Sequence, residues 1–198
     1  MFSERSERST SETDDALGSI EDRARAAAEL RALGAALDPT RIAIASSRAS
    51  AYLALFYVLA DLADEIIVLS PGDSFVSEVA TISGLHASSI AALDARDLFE
   101  ATTERTRAIA ITRASTEMLE LLAELALPIV IDATEHASRS TIATHPIFGS
   151  ERAPLAIEVR GRVLAICGPA NVAEPLLARL EPFASVFFES SASASRPA

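Results

Sequence analysis

The chain has 198 residues, of which 49% are hydrophobic and 23% are charged, so one domain with a substantial core is expected. Its 17 basic and 28 acidic side chains give a net charge of −11, which disfavours nucleic acid and anionic membranes as partners. A single cysteine excludes an internal disulfide, and no His or Cys cluster has the spacing of a structural metal site. We therefore predict no metal centre. The polar start contains no apolar stretch typical of a secretory signal, so we predict a cytoplasmic protein.

None of the 198 residues is a lysine, so every basic side chain is an arginine. For a chain acting alone, this excludes a P-loop lysine, a Schiff-base lysine and a lysine general base. The Gly-rich turn of dinucleotide-binding proteins and the G-x-S-x-G elbow of hydrolases are also missing. The sequence therefore lacks the motifs of several common α/β enzyme classes.

Short apolar segments alternate with helical segments along the chain. Hydrophobic periodicity and capping residues predict helices at Ile20–Leu33, Ala49–Leu62, Ser74–Ser83, Ala95–Ala101, Thr116–Leu125 and Val172–Phe183. Strands are predicted at Ile42–Ala45, Ile66–Leu69, His86–Ile90, Ala108–Thr112, Pro128–Ile131, Leu155–Val159 and Val163–Cys167. Composition at the two ends predicts a disordered polar tail over 1–18 and a frayed end over 191–198, around a domain of 19–190.

The order of these elements predicts the fold class. Continuous apolar strands separated by helices are typical of a mostly parallel sheet that is covered on both faces. The turn-sized gap Arg160–Arg162 between the last two strands predicts a hairpin, and hence one antiparallel strand. We therefore predict an α/β fold with three layers, α/β/α, around a mostly parallel mixed sheet.

Five segments carry a more specific signal: Ala45–Tyr52, Asp64–Val68, Arg105–Ile111, Pro128–Asp132 and Arg162–Pro169. In this order they resemble segments of the large domain of class I/II, fold-type I aminotransferases, which depend on pyridoxal phosphate. The first is similar to the strand, turn and helix that cradle the cofactor phosphate. The others are similar to the strands that follow it, and the similarity runs over about 22–191.

The resemblance implies a set of cofactor-binding residues. Asp132 matches the carboxylate that pairs with the protonated pyridine nitrogen. Ser47, with the backbone N–H groups near Arg48 and Ala49, matches the helix start that holds the phosphate. Arg162 matches the basic residue that reaches the same phosphate. Pyridoxal phosphate or its pyridoxamine form would then be held without a covalent bond.

Other positions depart from the family. Its aldimine lysine falls within Glu151–Pro154, where Arg152 is the only basic residue, and a guanidinium forms no Schiff base. The stacking aromatic falls near Asp73, the tyrosine after the "DE" pair falls on Glu135, and Arg113–Ser115 replaces the Asn-Pro loop. The chain also ends where the family's small C-terminal domain would begin. No catalytic residue is predicted, and internal-aldimine chemistry is expected to be lost.

Ordinary structural roles also account for the same residues. Asp132, with Glu135 three positions later, has nearly the spacing of a helix capping box. Ser47 has the residue type of a helix N-cap, and Arg162 is typical of a solvated surface charge.

Three hypotheses follow. The favoured one is a degenerate aminotransferase-like domain that is non-catalytic and acts by binding or association. The second keeps pyridoxal or pyridoxamine phosphate bound non-covalently, as a small phosphorylated ligand, with a residual or heteromeric role in amino-acid metabolism. The third is an unrelated α/β module that binds a small acidic or neutral ligand at the carboxyl ends of the strands. Because aminotransferases are usually dimers, the resemblance also implies a homo- or hetero-oligomer.

Overall fold

The computed structural model describes residues 17–32, 38–69, 74–90, 95–112, 115–125, 127–132, 155–160, 163–167 and 177–183. The helices are α1 (Ile20–Ala32), α2 (Arg48–Leu59), α3 (Phe75–Ile82), α4 (Ala95–Ala101) and α5 (Thr116–Ala123), with 3-10 turns at Pro39–Arg41 and Glu181–Phe183. The strands are β1 (Ile42–Ala45), β2 (Glu65–Leu69), β3 (His86–Ser89), β4 (Thr106–Ile111), β5 (Ile129–Asp132), β6 (Leu155–Arg160) and β7 (Val163–Cys167). Within the described residues, no helix has the length and apolar character needed to cross a membrane.

The seven strands form one sheet in the order β1-β7-β6-β5-β4-β2-β3. Strand β7 runs antiparallel to both its neighbours, β1 and β6, whereas the remaining pairs are parallel. The hairpin predicted between the last two strands is therefore present, and so is the predicted mixed sheet.

Both faces of the sheet are buried along most of β1, β2, β4 and β5, which explains why these strands read as continuous apolar runs. Helices α2 and α3 and residues 177–180 pack on one face, and α1, α4 and α5 pack on the other. On the α2 side the sheet presents small residues: Ala43, Ala45, Ala108 and Ala110. Isoleucines alternate with them on the opposite face: Ile42, Ile44, Ile109 and Ile111. The small residues leave room for the fully buried Tyr52, Leu55 and Phe56 of α2. The predicted three-layer α/β/α arrangement is confirmed.

The helix predicted over Ala49–Leu62 begins at Arg48 and ends at Leu59. Its last turn is held from outside, because Nη1 of Arg179 donates to the carbonyl oxygen of Val58 at 2.6 Å. A cation at a helix C-terminus satisfies carbonyls that have no intrahelical partner. This contact ties residues 177–183 to α2.

Leu17 and Gly18, which the composition assigned to the polar tail, are part of the fold. Leu17 is buried, and its carbonyl oxygen accepts a hydrogen bond from the backbone N–H of Ile44 at 2.9 Å. Residues 1–16, the end at 191–198 and the segment 172–176 of the last predicted helix lie outside the described residues.

Candidate functional site

The candidate site lies at the edge of the sheet where the parallel strands end. Asp132 is the last residue of β5, and Arg48 is the first residue of α2, three positions after the end of β1. Strands β1 and β5 run in the same direction, so their carboxyl ends reach the same edge. Helix α2 packs across β1, β7 and β6, and β6 lies next to β5 in the sheet. The start of α2 is therefore close enough for the side chain of Arg48 to reach Asp132.

Asp132 is held by two side chains of α2. Nε of Arg48 donates to Oδ2 of Asp132 at 2.6 Å, and the Tyr52 hydroxyl donates to the same oxygen at 3.0 Å. Arg48 and Tyr52 are one helical turn apart and therefore share a face of α2. Asp132 is 0% exposed, whereas the side chain of Arg48 remains 28% exposed. The buried carboxylate is thus neutralised by a cation from its own chain.

Tyr52 remains a neutral hydroxyl donor in this position. Burial raises its pKa well above the usual value, and the negative charge of Asp132 raises it further. The nearby Arg48 guanidinium acts in the opposite direction with a smaller effect. Tyr52 therefore orients the carboxylate and is not itself a base at neutral pH.

An aromatic ring completes the group. Cζ of Arg48 lies 4.4 Å from the ring centroid of Phe75 and 5.9 Å from that of Tyr52, which are cation–π distances. The rings of Tyr52 and Phe75 meet edge to face at 6.1 Å. We call Arg48, Tyr52, Phe75 and Asp132 the Asp132 cluster.

Phe75 is a member of the cluster that the resemblance did not identify. The resemblance placed the family's stacking position at Asp73, where an acid cannot stack, and indicated that the ring had been lost. Asp73 lies outside the described residues, but Phe75, two positions later, brings a ring to the cluster. The signal was present in the sequence as an aromatic residue at the start of α3, close to the expected position.

Three serine hydroxyls surround the start of α2. Ser47 is the N-cap, since its Oγ accepts the backbone N–H of Ser50 at 3.0 Å. The hydroxyls of Ser46 and Ser47 each lie 2.9 Å from that of Ser50. The N-cap role that the residue type of Ser47 predicted is therefore present, and the side chains of Ser46 and Ser47 are exposed.

The structure brings four of the five predicted cofactor-binding residues to one edge of the sheet. Ser47, Arg48 and Ala49 form the start of α2, and the side chain of Arg48 reaches Asp132. Arg162 lies outside the described residues, as do Glu135 and Arg152. Arg48 was proposed for its backbone N–H, but its side chain makes the contact that defines the cluster.

Pyridoxal phosphate, the cofactor that the resemblance implies, does not fit this arrangement. A pyridine nitrogen would need the carboxylate of Asp132, to which Arg48 and Tyr52 are already bonded. The space against the face of Phe75 is taken by the guanidinium of Arg48. The chain also offers no lysine amine to the cofactor aldehyde.

Over the described ranges, no group of three or more His, Cys, Asp or Glu could hold a metal ion.

Comparisons with known proteins agree with this fold. No protein-family model matches the sequence, and no curated protein matches it. The N-succinyldiaminopimelate aminotransferase of Mycobacterium tuberculosis matches with a TM-score of 0.70 and 22% identity, over 88% of this chain and 54% of that chain. Escherichia coli YbdL, described as having a methionine aminotransferase function, matches with a TM-score of 0.72 and 17% identity, over 88% of this chain and 55% of that chain. Thermus thermophilus aspartate aminotransferase with maleate matches with a TM-score of 0.67 and 21% identity, over 88% of this chain and 53% of that chain.

At these identities the similarity concerns the fold, and the chain spans about half the length of the aminotransferases it matches. The mixed sheet and its two helical layers correspond to one part of those enzymes. The chain therefore has the α/β fold of the large domain of pyridoxal-phosphate-dependent, fold-type I aminotransferases.

Proposed function

We propose that this chain is a degenerate aminotransferase-type domain that does not carry out transamination and acts by binding or association. The observation that supports this most is the bond from Arg48 to Asp132. The carboxylate that would serve a cofactor ring is fully buried and bonded within its own chain. An external ligand that takes over this oxygen has to displace Arg48.

The composition supports the same proposal. A guanidinium stays protonated at any accessible pH, so none of the 17 arginines can replace the missing lysine as a nucleophile. A reaction that needs a lysine amine at this site would have to take it from another chain. We therefore assign no catalytic residue to this chain.

A second candidate function keeps a cofactor in part, as a non-covalent ligand with a heteromeric role. It is favoured by the exposed hydroxyls of Ser46 and Ser47 at the start of the twelve-residue helix α2. Helix N-termini attract phosphate groups through their backbone N–H groups and dipole. This candidate requires Arg48 to leave Asp132, or the ring to bind elsewhere.

Exposed apolar side chains support a role in association. Tyr57, Leu62 and Phe183, here called the apolar patch, surround one end of α2. The rings of Tyr57 and Phe183 meet at 4.8 Å, and Leu62 is 82% exposed. Tyr57 and Leu62 also line a cavity of about 470 Å³. Exposed apolar surface of this kind favours contact with another protein surface. We propose that it takes part in a homo- or hetero-oligomer.

Titration with pyridoxal phosphate and pyridoxamine phosphate tests the proposal. Absorbance reports covalent capture of the aldehyde, and calorimetry reports non-covalent binding. We expect neither compound to give a saturable signal that depends on Asp132, as judged by comparison of the wild type with Asp132→Ala. A saturable heat that is present in the wild type and absent from Asp132→Ala would contradict the proposal and support the second candidate.

A further inference from the structure

The Asp132 cluster has the composition of a recognition site for a planar cation. We propose that Asp132, Tyr52 and Phe75 form such a site and that the guanidinium of Arg48 is its built-in ligand. The inference deepens the proposed function and rests on it in one respect, because both assign the Asp132 carboxylate to Arg48. Its test uses a cation and no cofactor, so the two can fail separately.

Three contacts define the site. The carboxylate of Asp132 has no exposure to water and receives Nε of Arg48 at 2.6 Å. The Tyr52 hydroxyl donates to the same oxygen at 3.0 Å and fixes the carboxylate in place. The ring of Phe75 lies 4.4 Å from Cζ of Arg48. A planar delocalised cation can donate in its plane to a carboxylate while its face contacts a ring, whereas a tetrahedral ammonium lacks that face.

The site can exchange its ligand. The side chain of Arg48 is 28% exposed, so the guanidinium lies at the boundary between the buried carboxylate and water. Its backbone is fixed separately, because Oγ of Ser47 caps α2 by accepting a hydrogen bond from the backbone N–H of Ser50. Rotation of the Arg48 side chain would therefore open the site without unwinding the helix.

Competition explains what the wild type should reject. When a site is open in only a fraction of the molecules, the apparent affinity for a free ligand is reduced by that fraction. Arg48 is tethered beside its carboxylate and is present at a high effective concentration. Free planar cations, such as guanidinium or pyridinium compounds, should therefore bind the wild type poorly and a variant without the Arg48 side chain well.

Chemical complementation tests the proposal with a matched probe. Arg48→Ala removes the two outer methylene groups and the guanidinium, and these atoms correspond to ethylguanidinium. We would measure the thermal midpoint of the wild type, Arg48→Ala and the double variant Arg48→Ala/Asp132→Asn against rising ethylguanidinium. Propylammonium, an alkyl cation without a planar group, serves as the control compound.

We expect ethylguanidinium to raise the midpoint of Arg48→Ala saturably, and propylammonium to do so severalfold less effectively. The wild type and the double variant should show no saturable rise. A folded Arg48→Ala that does not respond, or a wild type that responds equally, would overturn the proposal. The proposed function is contradicted separately, by Asp132-dependent binding of pyridoxamine phosphate to the wild type.

A second measurement covers the case in which Arg48→Ala does not fold even with ethylguanidinium. In the wild type, NMR of arginine side chains should show one Nε–H resonance that exchanges slowly and is shifted by the ring of Phe75. Phe75→Leu should remove the ring-induced shift, and Asp132→Asn should restore fast exchange. Because Nε of Arg23 is also buried, slow exchange alone does not identify Arg48. If no arginine Nε–H resonance shifts in Phe75→Leu and none becomes fast-exchanging in Asp132→Asn, the guanidinium does not occupy this site and the proposal is wrong.

Discussion

Nε of Arg48 donates to Oδ2 of Asp132 at 2.6 Å, across 84 positions of sequence. The bond joins the first residue of α2 to the last residue of β5, so it connects two elements of the fold at the edge where α/β ligands bind. Removing one partner of a buried ion pair costs more than the pair contributes, because an uncompensated charge remains. The pair is therefore a contact of the fold, and we propose that it also determines what this edge can bind.

The hydroxyl of Tyr52 is expected to contribute to stability. Tyr52→Phe removes a donor to a fully buried carboxylate while keeping the ring, so the free energy of unfolding should fall by about 1–3 kcal/mol. Chemical denaturation measures this change. Ser74→Ala is the matched control, since the Ser74 hydroxyl donates to Glu78 at the exposed start of α3, and it should cost about 0.5 kcal/mol or less. Equal losses in the two variants would show that burial of Asp132 does not matter.

Glu65 at the start of β2 should make stability depend on acid. Its carboxylate accepts hydrogen bonds from Ser88, Thr103 and Thr106, and these bonds, that of Ser88 most strongly, hold its pKa below the usual range. Because the folded pKa is the lower one, the contribution is complete above the unfolded pKa of about 4.3 and is lost as pH falls through the folded pKa.

Unfolding of the wild type and Glu65→Gln at neutral and at acidic pH tests this expectation. The wild type should lose free energy of unfolding more steeply than Glu65→Gln as the pH falls below about 4. Glu100→Gln removes the same charge from the exposed face of α4 and serves as the control. Parallel pH profiles for the wild type and Glu65→Gln would contradict the role given to the three hydroxyls.

Gly18 is expected to require the absence of a side chain. Its φ is +100°, and a Cβ there would lie 2.7 Å from Cβ of Ile44, an atom too near the backbone to move away. Gly18→Ala should therefore lower the free energy of unfolding by about 2 kcal/mol or more. Ala63, with a φ of +67°, provides the opposite case, and Ala63→Gly should be neutral or stabilising by about 0.5 kcal/mol. Similar effects of both changes on the denaturation midpoint would contradict this account.

The apolar patch should control association. Leu62→Glu places a charge at its most exposed position and should shift an oligomer to the monomer without changing the fold. Light scattering across a concentration series measures the mass, and Glu117→Gln on α5 serves as a charge-changing control elsewhere. A wild type that stays monomeric at every concentration, and that binds no partner through the patch, would refute association through this surface.

The sequence predicted the fold because its signals are local and repeated. Alternating apolar runs and capping residues define most elements. Ser47, for example, is a residue type typical of an N-cap, and α2 begins directly after it. The boundaries shifted where a tertiary contact decides them. Leu17 joins the core through a hydrogen bond to Ile44 that no local pattern reveals.

The candidate site was predicted less completely for the same reason. Asp132 and the start of α2 were identified as one site, but the bond that joins them depends on which rotamer Arg48 adopts over a folded sheet. The contribution of Phe75 was missed because the expected ring position was two residues earlier. Long side chains reach across such distances, so spacing along the chain does not fix which groups meet.

A double-mutant cycle on Arg48 and Asp132 tests the central claim most directly. Because Asp132 is fully buried and Arg48 is partly exposed, Arg48→Ala should cost about 3–5 kcal/mol and Asp132→Asn less. The double variant should cost little more than Asp132→Asn alone, which gives a coupling free energy of about 2 kcal/mol or more. Arg96→Ala, which breaks the exposed pair with Glu100, is the control and should cost about 0.5 kcal/mol or less. If the two single changes add within about 0.5 kcal/mol, Arg48 is not the partner of Asp132 and the account is wrong.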